Sequence, residues 1–468
     1  MANGLGLGDA YGATIERIKV QGGDRSRLGI EALMWISHAE RPLKANELCH
    51  ALAVELGSTA FNNGNLPSIS TLVSCCQGLI TMDKEASTVR LVHYTLQEYL
   101  SAHPHIFSTP HSSIAEICLT YLNSKQVKAI PADSFSGIQD TPFLEYCSLY
   151  WGVHAKRQLS DRAKSLAMEL LQRRDGHIST RLLLRQVEEL YLGDNVTNLQ
   201  FRGLHWASFF GISEVVATLI EIERCDLNVG DSEGRSPLSW AARNGHEEVV
   251  EILLEQEAAN PDKSDNFGQT PISFAAQNGH EGVAKILLRR EEVDPNKPAR
   301  SGRTPLLFAA WNGQEGVVKI LLEQGEVNPD KPTSWGQTPL SYAAEYGQEG
   351  VVKILLERGE VNPDKPDCWG NTPILYAAKN GHEGVVKILL ERGEVNPDKP
   401  DLLGRTPLLY AAKNGHNEVV NILLEREEVN PTKPDDDGIT PLMYAAKHGH
   451  KGVIELLKPH EAVTPKAA

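Results

Sequence analysis

The sequence lacks the features typical of membrane-spanning, secreted or nucleic-acid-binding proteins. Its 468 residues contain no run of eighteen apolar residues, which excludes a membrane-spanning helix. The formal net charge is −15, whereas binding to nucleic acid or to an anionic membrane needs a positive surface. The N-terminal residues lack the apolar core of a secretion signal. These absences predict an intracellular, cytoplasmic protein that binds neither nucleic acid nor membranes.

Sequence patterns typical of catalysis, nucleotide binding or metal binding are also scarce. The seven cysteines are odd in number and form no Cys-x-x-Cys pair, so we expect reduced thiols. No Gly-x-x-x-x-Gly-Lys-Ser/Thr string is present to hold nucleotide phosphates. Cys75 or Cys76 could pair with His93 for catalysis, but a histidine at a strand-to-helix junction is more often a core residue, and we favour that interpretation. We therefore expect no enzyme, no cofactor and no metal site.

What the sequence does contain is an internal repeat. The heptapeptide EVNPDKP stands at 326–332, 360–366 and 394–400, with a period of 34 residues. Ser236-Pro237 and a degenerate copy that begins at Arg202 extend the series towards the N-terminus, which gives about eight copies over 202–460. The landmark dipeptide Thr-Pro begins at Thr270, Thr304, Thr338, Thr372, Thr406 and Thr440.

The copy at 360–393 shows what each part of the repeat should do. Thr372 is expected to cap a first helix with its hydroxyl, and Pro373 fits the first helical position, where no N–H is needed. Gly381 can adopt the left-handed conformation that ends this helix, and Gly393 is expected to end a second one. Helices this short are not stable alone in water, so neighbouring copies must stack into a solenoid. The heptapeptide is then the connector between layers.

This frame resembles the ankyrin repeat, whose pattern is Asp-x-x-Gly-x-Thr-Pro-Leu-His-x-Ala-Ala, later Gly-His and Val-Val-x-x-Leu-Leu. The period is 34 rather than the usual 33 residues, and the histidine after Thr-Pro-Leu survives only as His205. Histidines such as His382 also recur after the helix-ending glycine. They stand one per layer, too far apart to share a metal ion, and we interpret them as turn and cap residues.

A few positions vary sharply between copies and are candidates for binding. They precede the turn glycine or end the first helix, which by the ankyrin resemblance implies the concave, partner-binding face. Exposed aromatic residues in neighbouring layers are typical anchors of a protein interface, although exposed positions also drift when little packing depends on them. The candidate protein-binding residues are Phe267, Arg300, Trp311, Ser334, Trp335, Glu345, Tyr346, Cys368, Trp369, Lys379, Leu402 and Leu403.

The N-terminal part has no 34-residue period and predicts a winged helix. Residues 29–37 indicate a buried helix, Asn46 is expected to cap a second helix, and residues 68–78 indicate a third. Residues 79–100 then predict strand, polar turn, strand and helix. The third helix would enter a DNA groove but has no Arg or Lys, and the wing adds only Arg90 and Lys84. A structural winged helix is favoured over a DNA reader.

Three segments carry a further resemblance: LMWISHAERPLKANELCHALAVE, VRLVHYTLQEYL and FLEYCSLYWGVHAK. They are similar to the region after the NACHT domain of fungal NLR-like (STAND) receptors, which includes a winged helix of the GPI inositol-deacylase type. The NACHT ATPase itself is absent. The resulting fold class is mainly α, with a winged helix and helical linker before an ankyrin-repeat α-solenoid. We expect a remnant of a preceding module at 1–25, the winged helix at 26–105, the helical linker at 106–200, the ankyrin repeats at 201–460 and a disordered tail at 461–468.

The combined interpretation is a non-catalytic recognition protein. The ankyrin face is expected to bind a protein ligand, and the winged helix and linker to couple that contact to a NACHT ATPase or effector. The resemblance implies the sensor or regulatory part of a fungal NLR-like signalling protein. Two alternatives stay open. One is a general ankyrin scaffold or adaptor, such as a substrate receptor; the other is a fragment of a nucleotide-dependent STAND switch whose NTPase lies outside this chain.

Overall fold

The repeat becomes a pair of short helices followed by a connector and a turn, and a separate helical unit precedes most of the repeats. The computed structural model describes residues 6–83, 85–131, 140–172, 177–188, 201–223 and 226–461. Its first compact unit comprises residues 1–226 and 230–232, and its second residues 227–229 and 233–468. Lys84 lies outside the described residues, and of the tail predicted at 461–468 only Glu461 is described.

The predicted winged helix is present in the first unit. Its strands pair antiparallel with Ile80 opposite Leu91, and short 3₁₀ helices at Asn63–Asn65 and Pro104–Ile106 flank its later elements. Arg90 of the wing pairs with Asp83 at 3.2 Å. The elements are α1 (Leu7–Lys19), α2 (Asp24–His38), α3 (Ala45–Ala53), α4 (Ile69–Cys75), β1 (Ile80–Asp83), β2 (Thr88–Leu91) and α5 (Tyr94–Ala102).

Helix α3 begins two residues before the position that the predicted cap implies. Its N-cap is Lys44, so the assignment of Asn46 as N-cap is wrong. The carboxylate of Glu47 reaches back and accepts the Lys44 N–H at 2.8 Å, while Arg41 holds the other carboxylate oxygen at 2.7 Å. A glutamate at the third helical position thus does the capping that the sequence suggested for asparagine.

A helical arm follows the winged helix and shares its core. Its helices are α6 (Pro110–Leu122), α7 (Lys125–Lys128), α8 (Leu144–Arg157), α9 (Asp161–Leu171) and α10 (Ile178–Glu188). Trp35 of α2 packs edge-on against Phe143 and Tyr146, with ring centres 5.5 and 5.8 Å apart. All three rings are fully buried, so the winged helix and the arm are joined by one aromatic cluster.

The first repeat belongs to this unit as well. Its helices α11 (Gly203–Phe210) and α12 (Ser213–Glu223) pack against α8 and α9. The Phe210 ring lies 5.2 Å from the Trp151 ring, directly over Gly152. The arm therefore covers an apolar face of the first repeat that would otherwise meet water.

The second unit contains the other described repeats. First helices stack on first helices, and second helices stack on second helices. Ala377, Ala378, Val385 and Val386 show the pattern, since each is completely buried between layers. The helices are α13 (Pro237–Arg243), α14 (Glu247–Leu254), α15 (Pro271–Asn278), α16 (Glu281–Leu288), α17 (Pro305–Trp311), α18 (Glu315–Glu323), α19 (Pro339–Glu345), α20 (Glu349–Leu356), α21 (Pro373–Asn380), α22 (Glu383–Leu390), α23 (Pro407–Asn414), α24 (Asn417–Leu424), α25 (Pro441–His448) and α26 (Lys451–Glu461).

The predicted helix ends are mostly confirmed. Thr372 accepts the N–H of Leu375 at 3.4 Å as the N-cap of α21, and Gly381 ends that helix with φ +79°. The expectation that Gly393 ends α22 is wrong, because the helix stops at Leu390 and no left-handed residue is used there. A tight turn takes over instead, in which the Arg392 N–H donates to the Leu389 carbonyl at 3.0 Å.

The connectors are tied to one another by a ladder of lysine–aspartate contacts. Lys365 extends back to the preceding connector, where its Nζ donates to the Asp330 carbonyl at 2.9 Å and to its carboxylate at 2.8 Å. The Asp330 side chain is only 14% exposed. The same pairing joins Lys297 to Asp262, Lys399 to Asp364 and Lys433 to Asp398. In these connectors, the lysine of one copy thus bonds to the aspartate of the copy before it.

None of the helices in the described part of the chain combines the length and apolar character needed to cross a lipid bilayer.

Replacing Lys365 by Met should lower the free energy of unfolding by about 2 kcal/mol, because it leaves the nearly buried Asp330 carboxylate without its charged donor. Lys331 is the matched control, since its partner connector has Asn296 and its Nζ meets only a carbonyl, at 2.9 Å. Lys331→Met should cost about 1 kcal/mol. Urea denaturation of the full chain measures both. Equal losses would contradict a role for the carboxylate.

Replacing Gly152 by Ala should also destabilise the protein, by about 1–3 kcal/mol. A Cβ at this position would lie 2.2 Å from the Phe210 ring, with no space to move in the aromatic core. Gly22→Ala is the control, because its Cβ would meet nothing within 4 Å. Thermal unfolding should separate the two variants; an unchanged Gly152→Ala protein would show that the arm does not pack closely on the first repeat.

Candidate protein-binding surface

In the described residues of the second unit, a tight turn with exposed residues at its tip precedes each first helix from α15 onwards. In the turn at 367–371, one oxygen of the Asp367 carboxylate accepts the N–H groups of Trp369 at 2.9 Å and Asn371 at 2.8 Å. Gly370 closes the turn with φ +84°, a conformation that disfavours residues with a Cβ. The aspartate occupies the inside of the turn, so the two residues between it and the glycine point outwards.

Neighbouring turn tips are joined through their backbones. The N–H of Cys368 donates to the Trp335 carbonyl, and that of Leu402 to the Trp369 carbonyl, both at 2.9 Å. An equivalent bond of 2.8 Å joins Arg300 to Phe267. We call the row of exposed side chains on these bonded turns the tip row. It comprises Phe267, Arg300, Ser334, Trp335, Cys368, Trp369, Leu402 and Leu403.

The apolar members of the tip row are open to solvent. Trp335, Trp369 and Leu403 occupy the same place in three consecutive turns, and their exposed fractions are 45%, 50% and 54%. Leu402 is 69% exposed beside them, and Phe267 is 52% exposed two turns before Trp335. Large apolar side chains this exposed are common singly, but a row held at fixed spacing is typical of a contact surface.

The tips at 367–371 and 401–405 are also anchored to the helices beneath them. The Tyr376 hydroxyl donates to the Asp367 carboxylate at 2.6 Å, and Tyr410 makes the same contact to Asp401 at 3.0 Å. Burial by itself would raise the pKa of Asp401, but hydrogen bonds from Arg405 and from backbone N–H groups hold it below its usual value. These two turns are therefore firm supports for Trp369, Leu402 and Leu403.

The remaining four candidates lie at the ends of first helices, and one of them was assigned wrongly. Trp311 is half-buried rather than exposed, because its ring packs 5.5 Å from Tyr346 and 5.8 Å from Tyr342. The Arg303 guanidinium covers it at 5.1 Å. Trp311 thus fills a gap between layers, and Tyr346, which is 46% exposed, is the aromatic side chain that this cluster presents to solvent.

Glu345 and Lys379 contribute their backbones to the link between repeats. The Glu345 carbonyl accepts from His382 Nε2 at 2.9 Å, and the Lys379 carbonyl from His416 Nε2 at 3.0 Å. Burial raises the pKa of the half-buried Glu345 side chain, an effect that the Lys379 charge opposes. The Lys379 side chain is exposed.

The recurrent histidines are confirmed as cap residues, but their link to the preceding repeat was missed. His382 stands at the N-cap of α22 and donates across the layer to Glu345. Gln314 and Gln348 occupy the same position in their repeats, and Gln348 donates to the Trp311 carbonyl at 3.3 Å. The alternation of histidine and glutamine at this position could have predicted the link, because both side chains carry an N–H donor of similar reach.

The cysteine and histidine patterns in the winged helix show no activated pair. Cys75 and Cys76 are buried, and burial raises the pKa of the Cys76 thiol to about 12. The expectation that His93 is a core residue is wrong, because it is exposed and caps α5, where its Nδ1 accepts the Thr95 N–H at 3.3 Å. A buried neutral thiol is a poor nucleophile.

One string, Gly230-Asp231-Ser232-Glu233-Gly234, has the Gly-x-Ser-x-Gly spacing of a lipase nucleophile elbow. A nucleophile elbow joins a strand to a helix. The strands in the described residues are β1 and β2, both in the winged helix, whereas this string forms the turn before the N-cap of α13. It is the tip of a repeat, and the spacing is a coincidence.

Comparison with known proteins agrees with this architecture. A family described as "Ankyrin repeats (3 copies)" matches residues 180–265, 204–299, 257–331, 306–401 and 394–466. "GPI inositol-deacylase, winged helix domain" matches residues 18–108. No curated protein matches the chain significantly. The crystal structure of the human ASB11 ankyrin repeat domain is 28% identical, with 48% of this chain and 97% of that chain covered and a TM-score of 0.43. Ankyrin repeats are typically non-catalytic and contact other proteins, and since they cover more than half of the sequence, this protein belongs to the ankyrin-repeat family.

Proposed function

We propose that the protein binds a protein ligand through the tip row and the adjoining ends of the first helices, as on the concave face of other ankyrin arrays. The observation that carries this proposal is the alignment of Trp335, Trp369 and Leu403 on turns that are bonded to each other. The rigid backbone means that little conformational entropy is lost when a ligand covers these side chains. Each of them can contribute about 1–2 kcal/mol to binding when it is desolvated.

The chemistry of the tip row indicates what the ligand offers. Its centre is apolar, while Arg300 stands towards one end and the acidic pair Asp436 and Asp437 occupies the last turn. A ligand segment with apolar anchors at its centre would match this order. Polar residues at its ends would meet the flanking charges and set its direction.

We further propose that the winged helix and arm transmit this contact to a NACHT ATPase or effector. The protein would then be the sensor or regulatory part of a fungal NLR-like signalling protein with an intracellular location. The support is the presence of a winged helix of the GPI inositol-deacylase type and ankyrin repeats on one chain. The scaffold alternative uses the same tip row and requires no ATPase.

Replacing Trp335, Trp369 and Leu403 together by Ala should weaken ligand binding at least tenfold, because the apolar centre of the surface is removed. Cross-linking and mass spectrometry on the full chain identify the ligand, and calorimetry with the purified ligand measures its affinity. The control replaces Lys319, Lys353 and Lys387 by Ala, which are exposed on second helices. Wild-type affinity in a correctly folded tip-row variant would contradict the proposed surface.

The coupling proposal predicts a NACHT ATPase either on the same gene or in complex with the protein. Genomic DNA upstream of the Met1 codon should then encode an in-frame phosphate-binding loop, or immunoprecipitation of the full chain should recover a separate NACHT protein. Recovery of the NACHT protein should require the first unit and should be unchanged in the tip-row variant. If neither is found, the scaffold alternative is favoured.

A further inference from the structure

Three side chains with metal-binding chemistry converge inside the first unit. Glu40 follows α2, His111 lies in the first turn of α6 and His154 lies in the last turn of α8. Their potential ligand atoms all lie within 4.8 Å of one another. His154 is completely buried, while Glu40 and His111 are half-buried. Glu40 and His154 are 114 positions apart in the sequence, so no short sequence motif predicts the cluster.

Hydrogen bonds orient the two imidazoles towards a common point. The Nδ1 atoms of His111 and His154 are 2.8 Å apart, so one of them must carry a proton. The Tyr146 hydroxyl accepts the Glu40 N–H at 3.2 Å and lies 2.9 Å from His154 Nε2. Its own hydrogen is free to point at Nε2, which leaves the His154 proton on Nδ1, facing His111.

Burial disfavours the protonated form of both imidazoles. Burial lowers the pKa of His154 to about 3 and also lowers that of His111, with the Arg157 charge adding to both effects. A neutral imidazole is the form that coordinates a metal ion.

We propose that His111 Nδ1, His154 Nδ1 and the Glu40 carboxylate bind a Zn²⁺ ion, with water in the fourth position. Two imidazoles and one carboxylate form a donor set that suits zinc. Zinc–nitrogen distances of about 2.0–2.1 Å in a tetrahedron place two nitrogens about 3.3 Å apart. The existing Nδ1 separation therefore needs to widen by only about half an ångström.

Tyr146 is the positioning residue of this site. For His154 Nδ1 to bind zinc, its proton must move to Nε2, and the Tyr146 hydroxyl has a second lone pair with which to accept it. The acceptor that bonds to the far nitrogen of a zinc-bound histidine fixes its tautomer and its ring orientation. No net proton leaves the imidazole in this exchange.

Arg157 is the competitor of the ion. Its guanidinium is paired with both oxygens of the Glu40 carboxylate, and its side chain is 47% exposed, so it can swing into solvent. Zinc would replace it as the partner of Glu40. Because the three ligands follow α2, begin α6 and end α8, a bound ion would fix the winged helix to the arm.

The test is zinc binding by the chelator-stripped full chain, measured by competition with a chromophoric chelator and repeated with Co²⁺ for its tetrahedral spectrum. Glu40→Gln and His111→Ala should weaken this binding at least tenfold, and Tyr146→Phe by about 10–100-fold. Arg157→Gln should tighten it, because the competitor is removed. His105→Gln, an exposed histidine elsewhere in the first unit, should leave it unchanged.

The proposal is overturned if the wild type, Glu40→Gln and His111→Ala bind the same number of zinc ions with the same affinity. Circular dichroism establishes that each variant is folded, and Glu40→Gln preserves shape if His111→Ala fails to fold. A second readout is thermal unfolding. Zinc should raise the melting temperature of the wild type but not that of Glu40→Gln, and equal rises would also overturn the site. Neither result depends on the protein ligand of the repeats.

Discussion

Each repeat depends on its neighbour to cover its apolar faces. Helices α21 and α22 have eight residues each, too few to be stable alone in water. Their alanines and valines become buried only when the preceding and following helix pairs are in place. The same requirement explains the arm, which gives the first repeat a partner through Trp151 and Phe210. Folding of these elements is therefore a property of the stack and not of any single copy.

Burial holds the layers together, but polar contacts set their spacing. Apolar surfaces tolerate small shifts, whereas a hydrogen bond weakens steeply with distance and angle. Three series of such bonds cross each typical layer: between turn backbones, from histidine or glutamine to a helix-end carbonyl, and from the connector lysine to aspartate. Their joint effect is a regular row of tips. The candidate binding surface inherits its order from contacts made elsewhere in the repeat.

Local features could be predicted from the sequence, because their causes are local. The Thr372 cap and the left-handed Gly381 need only their own turn, and both are found as predicted. Features that arise from stacking could not, since Lys365 meets Asp330 and Trp311 meets Tyr346 only after the layers form. Asn46 lost its predicted capping role to Glu47, because Arg41 holds the Glu47 carboxylate where it accepts the Lys44 N–H. The cluster of Glu40, His111 and His154 could not be predicted from any sequence pattern, because its residues come from three separate elements.

Within the described residues, Lys433 is the C-terminal lysine of the lysine–aspartate ladder. Lys433 bonds back to Asp398, and the residue equivalent to Asp398 in its own connector is Thr432. From Asp330 to Lys433 each link uses the same two residues at the same offset of 35 positions, whereas Lys331 meets only the Asn296 carbonyl of the preceding connector. In-frame duplication or deletion of one 34-residue repeat within 330–433 would consequently preserve the lysine–aspartate contacts between connectors. Such a gene can change the number of repeats and the side chains displayed on their tips, while the contacts between neighbouring repeats stay the same.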